Sequence, residues 1–242
     1  MIRIENLTIA HRGAHPLLSD VAATVEKGTL CALIGRNGAG KSSLLRVMAG
    51  TDRPVAGRVL VDGIDVTTAR PAVLSSVLAI VTTERIRVSR LTCRDVVSLG
   101  RAPFTGGFGH LSPDDCEAVD NAMAMTKTSS FASRELLTLS DGEAQRVMLA
   151  RALAQDTPVI LLDEPTSFLD VPNRLCLTDL LSSLAHDCGK TIVFSTHELD
   201  LAFSRADTIL IAEPPTLLHM LAPEMERYIK SHPWDLSVTS NM

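Results

Sequence analysis

The chain has 242 residues, a length that accommodates one well-buried domain and lies near the size at which single cores begin to divide. Apolar residues make up 45% and charged residues 21%, which excludes disordered and fibrous architectures. The formal net charge of -5 argues against a nucleic-acid surface, since such a surface needs clustered Lys and Arg. The basic residues of 85–94 form only a short cluster without interleaved aromatic residues, so we expect no nucleic-acid partner.

Hydropathy and cysteine usage indicate the cellular compartment. The sequence has no apolar run of about 18 residues and does not open on a signal peptide, so we expect a protein that is neither inserted in a membrane nor secreted. Its five cysteines are scattered singly without a CxxC pair. That pattern favours reduced cytosolic thiols over a zinc site or a disulfide framework.

The first 50 residues predict strands, a glycine-rich loop and a helix. Short apolar alternations predict two edge strands, with the apolar positions Ile2, Ile4, Leu7, Ile9 and then Val21, Ala23, Val25. Residues 29–34 are continuously apolar after the first position, as in a parallel strand buried on both faces. Beyond the loop, apolar residues recur at helical spacing until Gly50.

The same alternation of strand and helix returns near the carboxyl end of the chain. Residues 159–163 and 191–196 read as buried strands, and the helix between them is predicted to end near Gly189. From about 92 to 139 the signals are mostly helical, with N-caps at Thr92 and Ser112. We therefore predict an α/β fold with a mostly parallel sheet, an antiparallel β edge and an inserted helical subdomain at 84–138.

Residues 35–42 match the phosphate-loop pattern G-x-x-x-x-G-K-[ST], and they stand between a predicted buried strand and a predicted helix. Glycines let successive N–H groups converge on an anion, and the following helix presents its positive end. Lys41 would reach the β and γ oxygens of a nucleotide, and the Ser42 hydroxyl would bind magnesium. The predicted nucleotide-binding residues are Gly35, Arg36, Asn37, Gly38, Ala39, Gly40, Lys41, Ser42 and Ser43.

Two carboxylates end the apolar run at 159–164. In a parallel sheet this end lies beside the phosphate loop, so Asp163 is predicted to hold magnesium, directly or through water. Glu164 comes one residue later and, on strand alternation, would point to the opposite side. It is the predicted general base.

The sequence resembles the ABC ATPase family, because five of the family's signatures occur in order. Besides the phosphate loop and the acidic pair, residues 139–146 resemble the LSGGQ signature, 167–170 the D-loop, and 195–197 the switch histidine. The resemblance implies that two such domains stack head to tail. It further implies that Ser140 and Gly142 contact the γ-phosphate held by the other copy, and that His197 positions the attacking water.

The sequence departs from the family at three places. The Q-loop glutamine is replaced by Thr82, Thr83 and Glu84, of which Thr83 and Glu84 are candidate substitutes. Asp141 and Glu143 stand in the signature where Gly and Gln are usual, which adds negative charge. The aromatic residue that stacks on adenine is missing. His11 stands near that place, either as a stacking residue or as an ordinary loop histidine.

The middle stretch, residues 99–115, resembles the helical subdomain of importers for iron-siderophore, haem or cobalamin. The resemblance implies an ATP- and Mg²⁺-dependent subunit at the cytoplasmic face of the cell membrane. There a homodimer would drive transmembrane permease subunits that a periplasmic or surface substrate-binding protein feeds. We expect residues 1–236 to form the ABC ATPase domain, with 237–242 as a tail.

Two alternatives stay open. One is a soluble single-domain ABC ATPase such as that of iron-sulfur cluster assembly, which co-purification with scaffold proteins instead of membrane subunits would reveal. The other is a regulatory nucleotide binder with poor turnover, motivated by the missing Q-loop glutamine. Steady phosphate release that is lost in Glu164→Gln would exclude it.

Overall fold

The strands of the protein form two sheets, which the helices flank. The computed structural model describes residues 1–10, 15–83, 89–106, 109–224 and 228. The strands in this part of the chain are β1 Ile2–Ala10, β2 Pro16–Val25, β3 Leu30–Gly35, β4 Ala56–Val61, β5 Ile64–Asp65, β6 Leu78–Val81, β7 Val159–Leu162, β8 Thr191–Ser195, β9 Thr208–Glu213 and β10 Thr216–Leu221. The α-helices are α1 Lys41–Met48, α2 Pro71–Val77, α3 Cys93–Ser98, α4 Pro113–Met125, α5 Asp141–Ala154, α6 Val171–His186 and α7 Leu199–Arg205.

The larger sheet has the strand order β10-β9-β3-β8-β7-β6. Strands β9, β3, β8, β7 and β6 run parallel, and β10 pairs antiparallel at the edge. Every residue of β3, β7 and β8 is buried, which is why these segments read as continuous apolar runs. The predicted fold class, a mostly parallel sheet with an antiparallel β edge, is confirmed.

The smaller sheet is antiparallel, in the order β2-β1-β4-β5. Strand β2 lies at its edge as predicted, but the same expectation for β1 is wrong. β1 pairs with β2 on one side and with β4 on the other. Alternation of apolar residues reports which face of a strand is buried, and it carries no information about how many neighbours the strand has.

The two faces of the larger sheet bury two separate hydrophobic clusters. Along β3, Ala32 and Ile34 belong to one cluster, while Cys31 and Leu33 belong to the other. The first cluster includes buried residues of α3 to α7, and the second includes α1 and the smaller sheet. Because successive residues point to opposite faces, a register shift of one residue would exchange the two sets.

Helices α3 and α4 begin at the N-caps expected from the sequence. Thr92 Oγ1 accepts a hydrogen bond from the N–H of Asp95 at 3.1 Å, and Ser112 Oγ accepts one from Asp115 at 3.2 Å. In each case the carboxylate also accepts the N–H of the cap residue, which completes a capping box. The proposed domain boundaries stay predictions, since these helices share one hydrophobic cluster with the sheet. No helix in the described part of the chain is both long and apolar enough to span a bilayer.

A largely buried ion pair joins the start of α4 to the helices beside it. Arg101 Nε donates to Asp115 Oδ1 at 2.8 Å, and Arg101 Nη1 donates to the carbonyl of Ala154, at the end of α5, at 2.9 Å. The hydroxyl and N–H of Ser112, together with Arg101, lower the pKa of Asp115 from 3.8 to about 2. The ionised carboxylate therefore holds three segments of the helical region together.

We predict that Asp115→Asn lowers the stability of the protein at pH 7. Because the folded-state pKa of Asp115 lies below the unfolded-state value, its contribution is present above about pH 4 and is lost as pH falls toward 2. Thermal unfolding at several pH values measures this. The difference in Tm between wild type and variant should shrink below pH 4, whereas Asp114→Asn, an exposed neighbour, should show no such trend. A pH-independent difference would contradict the prediction.

Candidate functional site

The phosphate loop connects β3 to α1, as the sequence predicts. Gly40 precedes the helix in a left-handed conformation (φ 93°), and no side chain caps the helix at this residue. The N–H groups of a helix's first turn have no intrahelical partner, so this end of α1 offers donors to an anion. Residues 36–38 at the tip of the loop are exposed. The arrangement matches what a phosphate group requires.

Lys41 is the charged group of the loop and is only 6% exposed. Its Nζ donates to the carbonyl oxygens of Gly35 at 2.9 Å and Arg36 at 3.3 Å. Burial lowers the pKa of Lys41, and the negative charges of Glu164 and Asp163 oppose this shift. A desolvated ammonium held by weak carbonyl partners is suited to bind a phosphate oxygen.

The two serines that follow Lys41 differ in their surroundings. Ser42 is half-buried in the first turn of α1, where its hydroxyl is one residue from the lysine. Ser43 is 7% exposed, and its Oγ accepts a hydrogen bond from Arg46 Nη2 at 3.4 Å. The geometry is compatible with the predicted magnesium role of Ser42, while Ser43 contacts its own helix.

Gly35 is required by the close approach of β9 to the start of the loop. A Cβ atom added to Gly35 would lie 2.6 Å from the carbonyl oxygen of Ala212. At Gly38 an added Cβ would meet nothing within 4 Å, although its φ of 81° also lies in the left-handed region. Of these two glycines, Gly35 is the one at which backbone from another strand excludes a side chain.

We predict that Gly35→Ala destabilises the protein more than Gly38→Ala. The left-handed φ alone should cost Gly38→Ala about 1 to 2 kcal/mol. Displacing β9 should add about 1 to 3 kcal/mol in Gly35→Ala. Urea unfolding of both variants measures the difference, and equal losses would show that the contact with Ala212 carries no energy.

The acidic pair follows β7 and is held from the neighbouring strand β8. Asp163 is 4% exposed, and its Oδ1 accepts a hydrogen bond from Ser195 Oγ at 2.7 Å. The N–H of Glu164 donates to the same Ser195 Oγ at 2.8 Å. Ser195 had no predicted role of its own. The available signal was a hydroxyl that directly follows the apolar run Ile192, Val193 and Phe194 at the end of the strand.

Glu164 and His197, predicted as base and linchpin, lie close together. His197 Nδ1 is 3.9 Å from Glu164 Oε2, and about half of the histidine side chain is exposed. Ser167 Oγ donates to the same carboxylate oxygen at 2.9 Å. Strand alternation, on which the sequence placed the two acids on opposite sides, does not apply to them. β7 ends at Leu162, and Glu164 adopts a left-handed backbone (φ 46°).

The signature begins α5 with Ser140 as its N-cap. Ser140 Oγ accepts from the N–H of Glu143 at 3.4 Å and donates to Glu143 Oε2 at 2.9 Å. The N–H of Ser140 donates to the same carboxylate oxygen and, as the largest influence, lowers the pKa of Glu143. The Glu143 carboxylate, which departs from the family pattern, is thus hydrogen-bonded by the N-cap of its own helix.

Gly142 lies against the D-loop. A Cβ on Gly142 would stand 3.0 Å from Leu169 Cδ2 and 3.2 Å from the carbonyl oxygen of Phe168. Ser167, which contacts Glu164, is in the same short segment, and Asp170 caps α6 by accepting the N–H of Asn173. The D-loop therefore connects the signature helix to the predicted base.

Two of the three sequence departures involve residues outside the described part of the chain. These residues are Glu84 of the Q-loop and His11. The candidate substitutes in the Q-loop are thus visible only at its start, where Thr82 is half-buried and Thr83 is exposed immediately after β6. Neither threonine is in contact with the acidic pair through any hydrogen bond found among the described residues. The replacement for the glutamine stays a prediction.

A family model described as ABC transporter matches residues 18–167, which is more than half of the chain and includes the phosphate loop, the signature and the acidic pair. The chain belongs to the ABC transporter family. It is 44% identical over 195 residues to a cobalamin import ATP-binding protein, BtuD, of Halobacterium salinarum. That match covers 81% of this chain, which spans 48% of the relative's length.

Two further comparisons cover most of both chains. The achromobactin transport ATP-binding protein CbrD of Dickeya dadantii is 36% identical over 222 residues, covering 92% of this chain and 82% of the relative. The structure of a dimeric bacterial ABC transporter cassette, MJ0796, superposes with a TM-score of 0.83 at 26% identity, covering 92% of this chain and 99% of the other.

Proposed function

We propose that this chain is the ATP-binding subunit of an ABC importer. In this role it hydrolyses ATP in a head-to-tail dimer to drive uptake of a metal chelate through separate membrane subunits. The observation that carries the proposal is the meeting of Lys41, Asp163 and Glu164 at one edge of the parallel sheet, beside a helix end without a side-chain cap. Electrostatics alone makes this edge a site for a polyanion and a cation.

The residues present fit ATP and Mg²⁺. The backbone of residues 35–40 and the buried ammonium of Lys41 would bind the phosphates. Asp163 and the Ser42 hydroxyl are hard oxygen ligands of the kind that Mg²⁺ prefers. Once bound, Mg²⁺ neutralises charge on the β and γ oxygens. Stacking of His11 on adenine belongs to this proposal and rests on the family resemblance alone.

For hydrolysis, Glu164 would accept the proton of a water that attacks the γ-phosphorus as the bond to the β-γ bridging oxygen breaks. His197, 3.9 Å from the Glu164 carboxylate, would orient that water. Ser140 and Gly142 of a second copy would supply the facing anion contacts from the start of α5. A dimeric ABC cassette 25% identical to this chain has been solved in a post-hydrolysis state bound to ADP and phosphate, which supports this assignment.

The cargo class and the partners rest on the relatives. Relatives of this chain include ATP-binding proteins named for cobalamin import, petrobactin import and achromobactin transport. Cobalamin is one of the cargoes expected from the sequence, and another relative is named for siderophore transport. The partners would be transmembrane permease subunits, fed by a periplasmic or surface substrate-binding protein. The dimer would then be peripheral, at the cytoplasmic face of the membrane.

The same names do not favour a soluble ABC ATPase of iron-sulfur cluster assembly. Co-purification distinguishes the two, because an importer subunit recovers membrane subunits and the alternative recovers soluble scaffold proteins. A regulatory nucleotide binder would show no steady phosphate release. Identification of the neighbouring genes would narrow the cargo.

We predict that Lys41→Ala abolishes detectable binding of MgATP. Removing a buried cation that contacts phosphate should weaken binding about 100-fold or more. Isothermal titration calorimetry measures the affinity. Lys27→Ala is the matched control, because it removes one positive charge from an exposed position and should bind as wild type does. Tight ATP retention by Lys41→Ala would exclude the loop as the binding site.

We predict that Glu164→Gln retains ATP but releases phosphate about 100- to 10,000-fold more slowly, because the water then lacks its base. Trapped ATP should hold two copies together, which size-exclusion chromatography with light scattering detects. Glu117→Gln, an exposed change of the same kind on α4, should behave as wild type. Wild-type turnover by Glu164→Gln would remove Glu164 from the mechanism.

A further inference from the structure

A single buried hydroxyl lies between the two acids of the site. Ser195 is the last residue of β8 and is fully buried. Its Oγ is 2.7 Å from Asp163 Oδ1 and 2.8 Å from the nitrogen of Glu164. Since water cannot reach it, these two partners satisfy the hydroxyl.

The direction of both hydrogen bonds follows from the groups involved. A backbone N–H can only donate, so Ser195 Oγ accepts from Glu164 and directs its one proton to Asp163 Oδ1. This hydrogen bond fixes the rotation of the Asp163 carboxylate about its Cβ–Cγ bond. One oxygen of Asp163 is thereby turned toward β8, and the other is turned away from it.

The second hydrogen bond acts on the backbone of Glu164. This residue has a φ of 46°, a backbone conformation that residues other than Gly, Asn and Asp rarely adopt. The hydrogen bond from its N–H to Ser195 holds the turn that carries the Glu164 side chain out of the line of β7. Without it, the N–H of Glu164 would lose this hydrogen-bond partner.

Ser195 is itself anchored to the strand that leads into the phosphate loop. It pairs with Leu33 in the parallel register of β3 and β8, and the N–H of Thr196 donates to the carbonyl of Leu33 at 3.1 Å. Gly35 follows two residues later. Thr196 uses its own hydroxyl differently, as an acceptor for the N–H of Glu198 at 3.0 Å.

We propose that Ser195 is a positioning residue, whose hydroxyl orients the Asp163 carboxylate and the Glu164 turn relative to the phosphate loop. The inference rests on the proposed function, since it assigns those acids to metal binding and base catalysis. It adds a residue that acts through both acids at once. Loss of the hydroxyl should therefore change magnesium dependence and turnover together, while nucleotide binding by the loop persists.

The test compares Ser195→Ala with wild type in steady-state phosphate release over a range of Mg²⁺ and ATP concentrations. We expect kcat to fall about 10- to 100-fold and half-saturating Mg²⁺ to rise by a similar factor, as is typical for residues that orient metal ligands. Binding of ATP in the presence of a chelator should be the same as in wild type. A variant that only lowers stability would not change kcat and half-saturating Mg²⁺ while leaving ATP binding intact.

Ser195→Thr and Ser195→Val form an isosteric pair, of which only Thr keeps the hydroxyl. We expect Ser195→Thr to keep the half-saturating Mg²⁺ concentration near that of wild type and Ser195→Val to raise it. Thr191→Val is the matched control on the same strand, since Thr191 is 1% exposed and its hydroxyl accepts only the N–H of Gly28 in the described contacts. It should lower the Tm without changing half-saturating Mg²⁺.

Wild-type kcat and Mg²⁺ dependence in Ser195→Ala would overturn the inference. If that variant does not fold, the isosteric pair decides, and equal behaviour of Thr and Val overturns it as well. Failure of the proposed function looks different. Wild type and Glu164→Gln would then release phosphate at the same background rate, whatever residue occupies position 195.

Discussion

Parallel strand pairing is the constraint on which the site depends. Strands β3, β8 and β7 are neighbours and run in one direction, so the segments after them emerge at the same edge. These segments carry the phosphate loop, His197 and the acidic pair, respectively. Since all three strands are buried on both faces, their register is held by the two hydrophobic clusters and the edge cannot shift.

The D-loop adds a physical connection between this edge and the signature helix. Ser167 donates to the Glu164 carboxylate, while the next two residues pack against Gly142 at the start of α5. In the proposed dimer, the same segment would thus contact the base of its own copy and the helix that serves the other copy.

The sequence predicted what local patterns determine. The phosphate loop, the buried strands and the N-caps at Thr92 and Ser112 each follow from a few adjacent residues. The role of Ser195 could not be predicted in this way, because its bonds to Asp163 and Glu164 cross 32 and 31 positions and depend on β8 lying next to β7. The placement of Glu164 was missed for a related reason, since the N–H of this left-handed residue is bonded to Ser195 of β8, which lies 31 positions away in the sequence.

The structure of the protein crystallised with ATP and Mg²⁺ tests the central claim most directly. The account predicts the β- and γ-phosphates against the Lys41 ammonium and the N–H groups of 38–42, with Mg²⁺ between Ser42 and Asp163 and Ser140 of a second copy facing the γ-phosphate. A nucleotide bound elsewhere, or a phosphate loop that stays empty at saturating ATP, would contradict it.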